Sequence, residues 1–202
     1  MEKYLVELMN RTLKTVDDGE TQHFEHVLTF FSIALQINAK KILELGVGNG
    51  GSSYPFLVAC KALGGHLTSV DIQSSVWKAP KDLSEYQTFV ESDAIEFLKN
   101  NNEKFDLIYV DDWHSYPHVK EELAQIDRFS DENTVILLHD LMGMSHHPNY
   151  FNPINYDNTS EWGLGGPFRA VNELDKNKWE WMTIPVNHGL TLLRKKGKVI
   201  NK

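Results

Sequence analysis

A handful of short stretches in this chain carry acids, glycines and histidines at spacings that could bind a ligand and act on it. In ILELGVGNGGSS (residues 42–53), Gly46, Gly48 and Gly51 satisfy G-x-G-x-x-G. Glu44, Gly46, Gly48 and Gly50 equally satisfy acid-x-G-x-G-x-G. Either pattern lets the backbone approach a ligand closely and opens a helix whose free N–H groups face it. Downstream, Asp71 closes LTSVD, Asp93 follows FVES, Asp111-Asp112 close FDLIYVDD and His139-Asp140 close VILLHD. A carboxylate placed like Asp71 can accept hydrogen bonds from both hydroxyls of a ribose. Asp111 and Asp140 could converge on one hard divalent cation, and His114 could take a proton near neutral pH. His139 offers a nitrogen, which suits Zn2+ or Fe2+ better than Mg2+.

The elements that must position these residues alternate. Residues 2 to 37 predict two helices broken near Asp17 to Glu20, with Tyr4, Leu5, Leu8 and Met9, then Val27, Phe30, Phe31, Ala34 and Leu35, at helical spacing. KILEL predicts a first strand, SYPFLVACKAL a helix that stops at Gly64-Gly65, HLTSVDI a second strand and QTFVES a short third. DAIEFLKNN predicts a helix, FDLIYVDD a fourth strand, HVKEELAQIDRF a helix and NTVILLHD a fifth strand. This alternation implies a parallel sheet covered on both faces. After residue 166 comes a helix, GPFRAVNELDKN, then WEWMTIPV and GLTLLRK, joined so tightly at Asn187-His188-Gly189 that they must be antiparallel. In such a sheet ligands bind beyond the carboxyl ends of the strands, and five successive strand ends here finish in acids.

The 202 residues fit one α/β domain, 1–202, with a helical cap over 1–38. A net charge of −8 argues against a general nucleic-acid binder. The N-terminal MEKYLVELMNRT mixes acids with apolar residues, and no apolar run approaches the roughly 20 residues of a membrane span. The expectation is a cytoplasmic protein. Cys60, in an apolar run, predicts a buried structural thiol. Glu121 and Glu122 read as a solvated helix face.

Three classes of function fit the residues. An NAD-dependent oxidoreductase is favoured by Asp71, twenty positions after Gly51, and by the Tyr116–Lys120 Y-x-x-x-K pair. Against it, the pair contains Pro117 and follows the fourth strand directly, and Glu44 would repel a pyrophosphate but welcome a cation. A non-catalytic cofactor-binding protein would use its N-terminal helices for a partner. The third class follows from a resemblance.

ILELGVGNGGSS, LTSVDI, VESDAIEFL, FDLIYVDDWHSY and VILLHDL resemble, in order, the motifs of class I S-adenosylmethionine-dependent methyltransferases. DDWHSYPHVKEEL followed by LLHDL is similar to a metal-dependent subgroup that includes macrolide sugar O-methyltransferases and cephalosporin-hydroxylase-like proteins. That subgroup usually shows D-G-D-H-S-Y; here Asp112 stands in place of the glycine and Trp113 in place of the second acid. The resemblance implies a Rossmann-like seven-stranded sheet, mostly parallel with an antiparallel C-terminal hairpin strand. It puts Gly46, Gly48 and Gly50 along the methionine and ribose of the cofactor, Glu44 near its charged groups, Asp71 on the ribose and Asp93 on the adenine amino group. Ser52, Ile72, Ala94 and Asp111 join the cofactor-contacting set. Asp111, His139 and Asp140 match ligands of a divalent metal, Mg2+ in expectation, and His114 matches the general base. Capping the following helix or standing in solvent are the other uses open to His114, and pointing into the sheet the other for His139.

The implied reaction is transfer of a methyl group from S-adenosylmethionine to a hydroxyl of a small molecule such as a saccharide or sugar-bearing metabolite. Residues 142–166 form a long loop rich in aromatics and amides (Tyr150, Phe151, Asn152, Asn155, Tyr156, Trp162), suited to a substrate lid. His146-His147 in it are adjacent, a spacing that seldom chelates one ion. No nucleic-acid or membrane partner is expected, and assembly, where it occurs, is expected as a homodimer through the N-terminal helices.

Overall fold

The computed structural model of the protein describes residues 2–17, 26–73, 77–141, 166–186 and 188–197. Along the chain lie α1 (Glu2–Asp17), α2 (Val27–Gln36), β1 (Lys41–Leu45), α3 (Ser53–Leu63), β2 (His66–Asp71), β3 (Gln87–Glu91) and α4 (Ala94–Asn100). There follow β4 (Leu107–Val110), α5 (Tyr116–Phe129), β5 (Val135–Leu138), α6 (Gly166–Asn172), β6 (Trp179–Ile184) and β7 (Leu190–Lys195). The seven strands form one sheet in the order β3-β2-β1-β4-β5-β7-β6. β1 to β5 pair in parallel, while β7 lies antiparallel to both β5 and β6. This is the expected Rossmann-like sheet with a terminal hairpin.

Side chains alternate across each strand, and that alternation divides the core in two. Leu43, Leu45, Val70, Ile108, Val110, Ile136 and Leu138 face one layer with residues of α4, α5 and α6. Ile42, Leu67, Leu107, Tyr109 and Leu137 face the other with α2 and α3. Cys60 is fully buried in that second layer, where burial pushes its thiol up to about 12 and leaves it inert.

Some expectations shift. Of the α1 residues at helical spacing, Leu8 is buried, whereas Leu5 and Met9 are 43% and 41% exposed. An amphipathic helix buries one stripe, and a count of apolar positions does not reveal its width. The fifth helix starts two residues earlier than expected, with Pro117 in its first turn, where the missing N–H costs nothing. The helix expected to reach Asn177 ends at Asn172, and Asp175 accepts from the Asn177 N–H in a side-chain turn. The expected interhelical break beyond Asp17, residues 142–165 of the expected 142–166 lid and Asn187 lie outside the described residues, and Gly166, the last residue of that lid, begins α6. Among the described residues, no helix is long and apolar enough to cross a membrane.

Backbone hydrogen bonds level the carboxyl ends of the strands. Gly46 N–H donates to Val70 O at 2.9 Å, Ser92 to Asp71 O at 3.0 Å, Asp111 to Leu45 O at 2.9 Å and His139 to Val110 O at 3.1 Å. Strand order reverses between β1 and β4, so the glycine loop and the end of β4 share the crevice at that switch. They are in contact there: a Cβ on Gly46, whose φ is +85°, would lie 2.1 Å from the Asp111 carbonyl oxygen. Gly46→Ala should therefore cost more than about 2 kcal/mol, from the positive φ and the clash together. Urea unfolding checks this, and a variant as stable as wild type would show that loop and strand end can separate freely.

Candidate active site

The glycine loop is held from inside. Glu44 sits on β1 opposite Ser69 of β2 and Tyr109 of β4, and is completely buried. Its carboxylate accepts from Ser52 Oγ at 2.7 Å, Ser53 Oγ at 2.9 and 2.8 Å and Ser69 Oγ at 2.7 Å. Burial raises the Glu44 pKa, the serines pull it partly back, and the Asp111 charge adds to the rise, which leaves it at about 7. Above the loop, Asp71 Oδ2 accepts from Val47 N–H at 2.8 Å and Gly48 N–H at 3.4 Å, and Oδ1 from Gln73 N–H at 2.9 Å. Ile72 beside it is 68% exposed. The Trp77 ring lies against Gly50, where a Cβ would come within 2.2 Å of it. Asp93 caps α4 by accepting from Glu96 N–H at 2.9 Å, with Ala94 buried behind it.

At the ends of β4 and β5, four titratable side chains converge. His114 Nε2 lies 3.2 Å from Asp111 Oδ1 and 3.0 Å from Asp140 Oδ2. His139 Nδ1 lies 3.5 and 3.4 Å from the same two oxygens. Tyr109 donates its hydroxyl to Asp111 Oδ2 at 2.8 Å. Asp140 has φ +61°, a strained backbone for a non-glycine residue and one that clusters at functional sites.

Burial alone would lower the His114 pKa, but hydrogen bonds and charge from Asp111 and Asp140 outweigh it and lift it to about 11. The same contest lifts His139 to about 10. Asp140 moves the other way: burial would raise it, and contacts with His114 and His139 bring it below the usual range.

Asp111, His139 and Asp140 offer ligand atoms within 4.8 Å of one another, close enough for one ion. Two carboxylates and one imidazole fit a divalent cation, and the nitrogen widens the choice from Mg2+ toward first-row transition ions. His139 does lie inward as well, 2% exposed, with its ring edge-on to His26 at 5.5 Å and His188 at 6.4 Å.

Solved structures share this fold. A methyltransferase from Podospora anserina, PaMTH1, bound to S-adenosylhomocysteine, is 18% identical, with a TM-score of 0.66 over 96% of this chain and 88% of that one. The O-methyltransferase TomG of tomaymycin synthesis from Streptomyces achromogenes, in complex with S-adenosylmethionine, is 18% identical, with a TM-score of 0.64 over 86% and 80%. A structure of cmcI with magnesium and S-adenosylmethionine is 15% identical, with a TM-score of 0.58 over 87% and 72%. No curated protein matches the sequence. Residues 43–141, which run from β1 to just past β5, match the family model described as a methyltransferase domain. Residues 43–141 are a methyltransferase domain. Domains of this class take their methyl group from S-adenosylmethionine, and the matched residues contain the glycine loop, Asp71, Asp93 and the whole acid–histidine cluster.

In this methyltransferase the Y-x-x-x-K pair is a tether. Tyr116 donates to Glu173 at 2.5 Å and accepts from Lys120 at 2.7 Å, joining α5 to the residue just past α6. Glu122 corrects its expectation: it is fully buried, because it falls on the apolar stripe of Val119, Leu123 and Ile126. Sequence reasoning missed Tyr109, Ser53, Ser69, Trp77, His26 and His188. Tyr109 carried a signal, lying two residues before Asp111, the strand spacing that puts side chains on one face. Ser69 becomes visible only when β2 is set beside β1.

The raised Glu44 pKa has a consequence for stability. Its ordinary value is 4.5, so between pH 4.5 and 7 the folded chain binds a proton that the unfolded chain releases. Stability present below pH 4.5 is therefore lost as pH rises through 7, about 3 kcal/mol in all. Between pH 5 and pH 8, wild type should lose about 2 kcal/mol more than Glu44→Gln, measured by urea unfolding. Equal losses would show that Glu44 stays ionised in the fold.

Proposed function

We propose that this protein is a divalent-cation-dependent O-methyltransferase acting on a hydroxyl of a small molecule, with a saccharide or sugar-bearing metabolite as the substrate class. The observation that carries the reading is the junction of two features. The glycine loop meets the β4 end in backbone contact at Gly46 and Asp111, and Asp111 in turn faces His114, His139 and Asp140. Donor loop and proton-handling cluster are thereby adjoining. The magnesium and S-adenosylmethionine present together in cmcI, of the same fold, support the same pairing of cofactors here.

The roles divide as follows. The glycine loop with Asp71 and Asp93 holds the donor, Ser52 and Glu44 set the loop, and Ile72 and Ala94 line the nucleoside. Asp111, Asp140 and His139 hold the cation, Mg2+ in the first instance, which when bound lowers the pKa of the acceptor hydroxyl and orients it. Asp111 and Asp140 also govern His114: as bare carboxylates they keep it an imidazolium, and once their charge is engaged, burial favours the neutral base. The acceptor oxygen attacks the methyl carbon in line. The O–C bond forms as the S–C bond breaks, the sulfonium leaves as neutral S-adenosylhomocysteine, and the hydroxyl proton passes to His114.

Transfer of labelled methyl from S-adenosylmethionine to a panel of saccharides and phenols, with Mg2+ or with EDTA, tests the reading. Turnover should require the cation, and His114→Ala should retain S-adenosylhomocysteine binding while losing about 10²- to 10⁴-fold in rate. Full activity in EDTA would overturn the cation's role, and full activity in the variant would remove His114 from the chemistry.

A further inference from the structure

A second cluster lies on the other side of the Asp111-Asp112 pair. Asp112 turns toward α5, where His118 and Glu122 stand four residues apart and so share a helix face. Asp112 Oδ2 is 2.9 Å from His118 Nε2, and Glu122 Oε1 is 3.8 Å from the same nitrogen. One ligand atom from each of the three lies within 4.8 Å of the others. Glu122 is 0% exposed, and neither of its oxygens accepts from an N–H or hydroxyl donor among the described residues; its carboxyl meets that of Asp112 instead. Asp112 Oδ1 is buried and likewise accepts from no such donor.

Such a carboxylate is expensive to keep in a protein interior. Its contact with His118 is too long to be a hydrogen bond, and burial, the charge and carboxyl contact of Asp112 and the charge of Asp93 hold its pKa well above the carboxylate range. What the three groups lack is a positive centre between them.

We propose that Asp112, His118 and Glu122 form a second divalent-metal site, selective for a first-row transition ion such as Zn2+, that clamps the β4–α5 turn onto α5. Bonds of 2.0–2.2 Å in a four-coordinate site set neighbouring ligand atoms about 3.4 Å apart. The observed 2.9 and 3.8 Å straddle that value. One nitrogen with two carboxylates is a donor set for zinc rather than for magnesium, which demands near-ideal octahedral oxygen. The fourth position remains for water, and the partial exposure of Asp112 and His118, 18% and 14%, leaves a way in. An ion there would brace the turn that carries Asp111 and His114. This site goes beyond the proposed reaction and stands whether or not the Asp111 cluster performs it.

Chelator-stripped chain titrated calorimetrically with Zn2+ alone tests the site, with Asp140→Asn used to disable the neighbouring cluster. Asp140→Asn should bind one Zn2+ per chain, and the Asp140→Asn/His118→Ala double variant none. Glu122→Gln, of the same shape, should weaken binding in the Asp140→Asn background at least about tenfold. Zn2+ in excess should raise the Tm of Asp140→Asn by about 5 °C and leave the double variant unmoved. Equal Zn2+ uptake by Asp140→Asn and the double variant would overturn the proposal, as would an unchanged affinity in Glu122→Gln. The three groups would then share a proton instead of an ion.

Discussion

Glu44 brings a carboxylate to the middle of the sheet, where β1 runs between β2 and β4, and serine hydroxyls from two further segments close around it. Each serine belongs to something the site needs in place. Ser52 and Ser53 begin the helix that follows the glycine loop, and Ser69 lies on the strand that ends in Asp71. A buried acid is tolerated only with its lone pairs satisfied, so the side chain that would otherwise be a liability fixes loop, helix and neighbouring strand against one another. The glycines then need only supply conformation and close approach.

The loop so fixed sits against the end of β4, and electrostatics takes over there. Asp111 and Asp140 face each other across adjacent strand ends, a placement that like charges oppose. His114 and His139 lie between them, and the mutual stabilisation shows in both directions: the histidines are raised and Asp140 is lowered. Tyr109, from the buried face of β4, fills the remaining oxygen of Asp111. One residue further on, the chain reverses the aim of its side chain, and Asp112 serves α5 instead. Two neighbouring acids thus organise two separate clusters, because successive residues at a strand end point to opposite faces.

Much of this was legible beforehand. Alternating apolar runs placed the strands within a residue or two, and the Asn187-His188-Gly189 connection announced the antiparallel hairpin. Asp71, Asp111, His139 and Asp140 were named from their positions at strand ends and His114 from the resemblance of DDWHSY, and Asp111, His114, His139 and Asp140 do meet. Where the reading failed, the cause is identifiable. Glu122 was taken as solvated because it is charged, although its spacing from Val119 and Ile126 places it on the buried stripe. Leu5 and Met9 were placed at helical spacing and do lie on a helix, but α1 buries little beyond Leu8 among them. For Glu122 residue type outweighed periodicity, and periodicity was the better guide.

By itself the sequence determined the class of fold, the strand ends that carry titratable groups and the glycine pattern that permits a tight turn, because these follow from local periodicity and from backbone freedom at single residues. Only the tertiary structure decided how those residues divide their work. Glu44 is an interior anchor because β2 brings Ser69 beside it, and His114 faces two carboxylates because β4 and β5 end level. Asp112 finds His118 and Glu122 because α5 folds back over the turn. Distances of 3 Å between residues far apart in the chain depend on strand order and register, and neither is written in any single stretch of sequence.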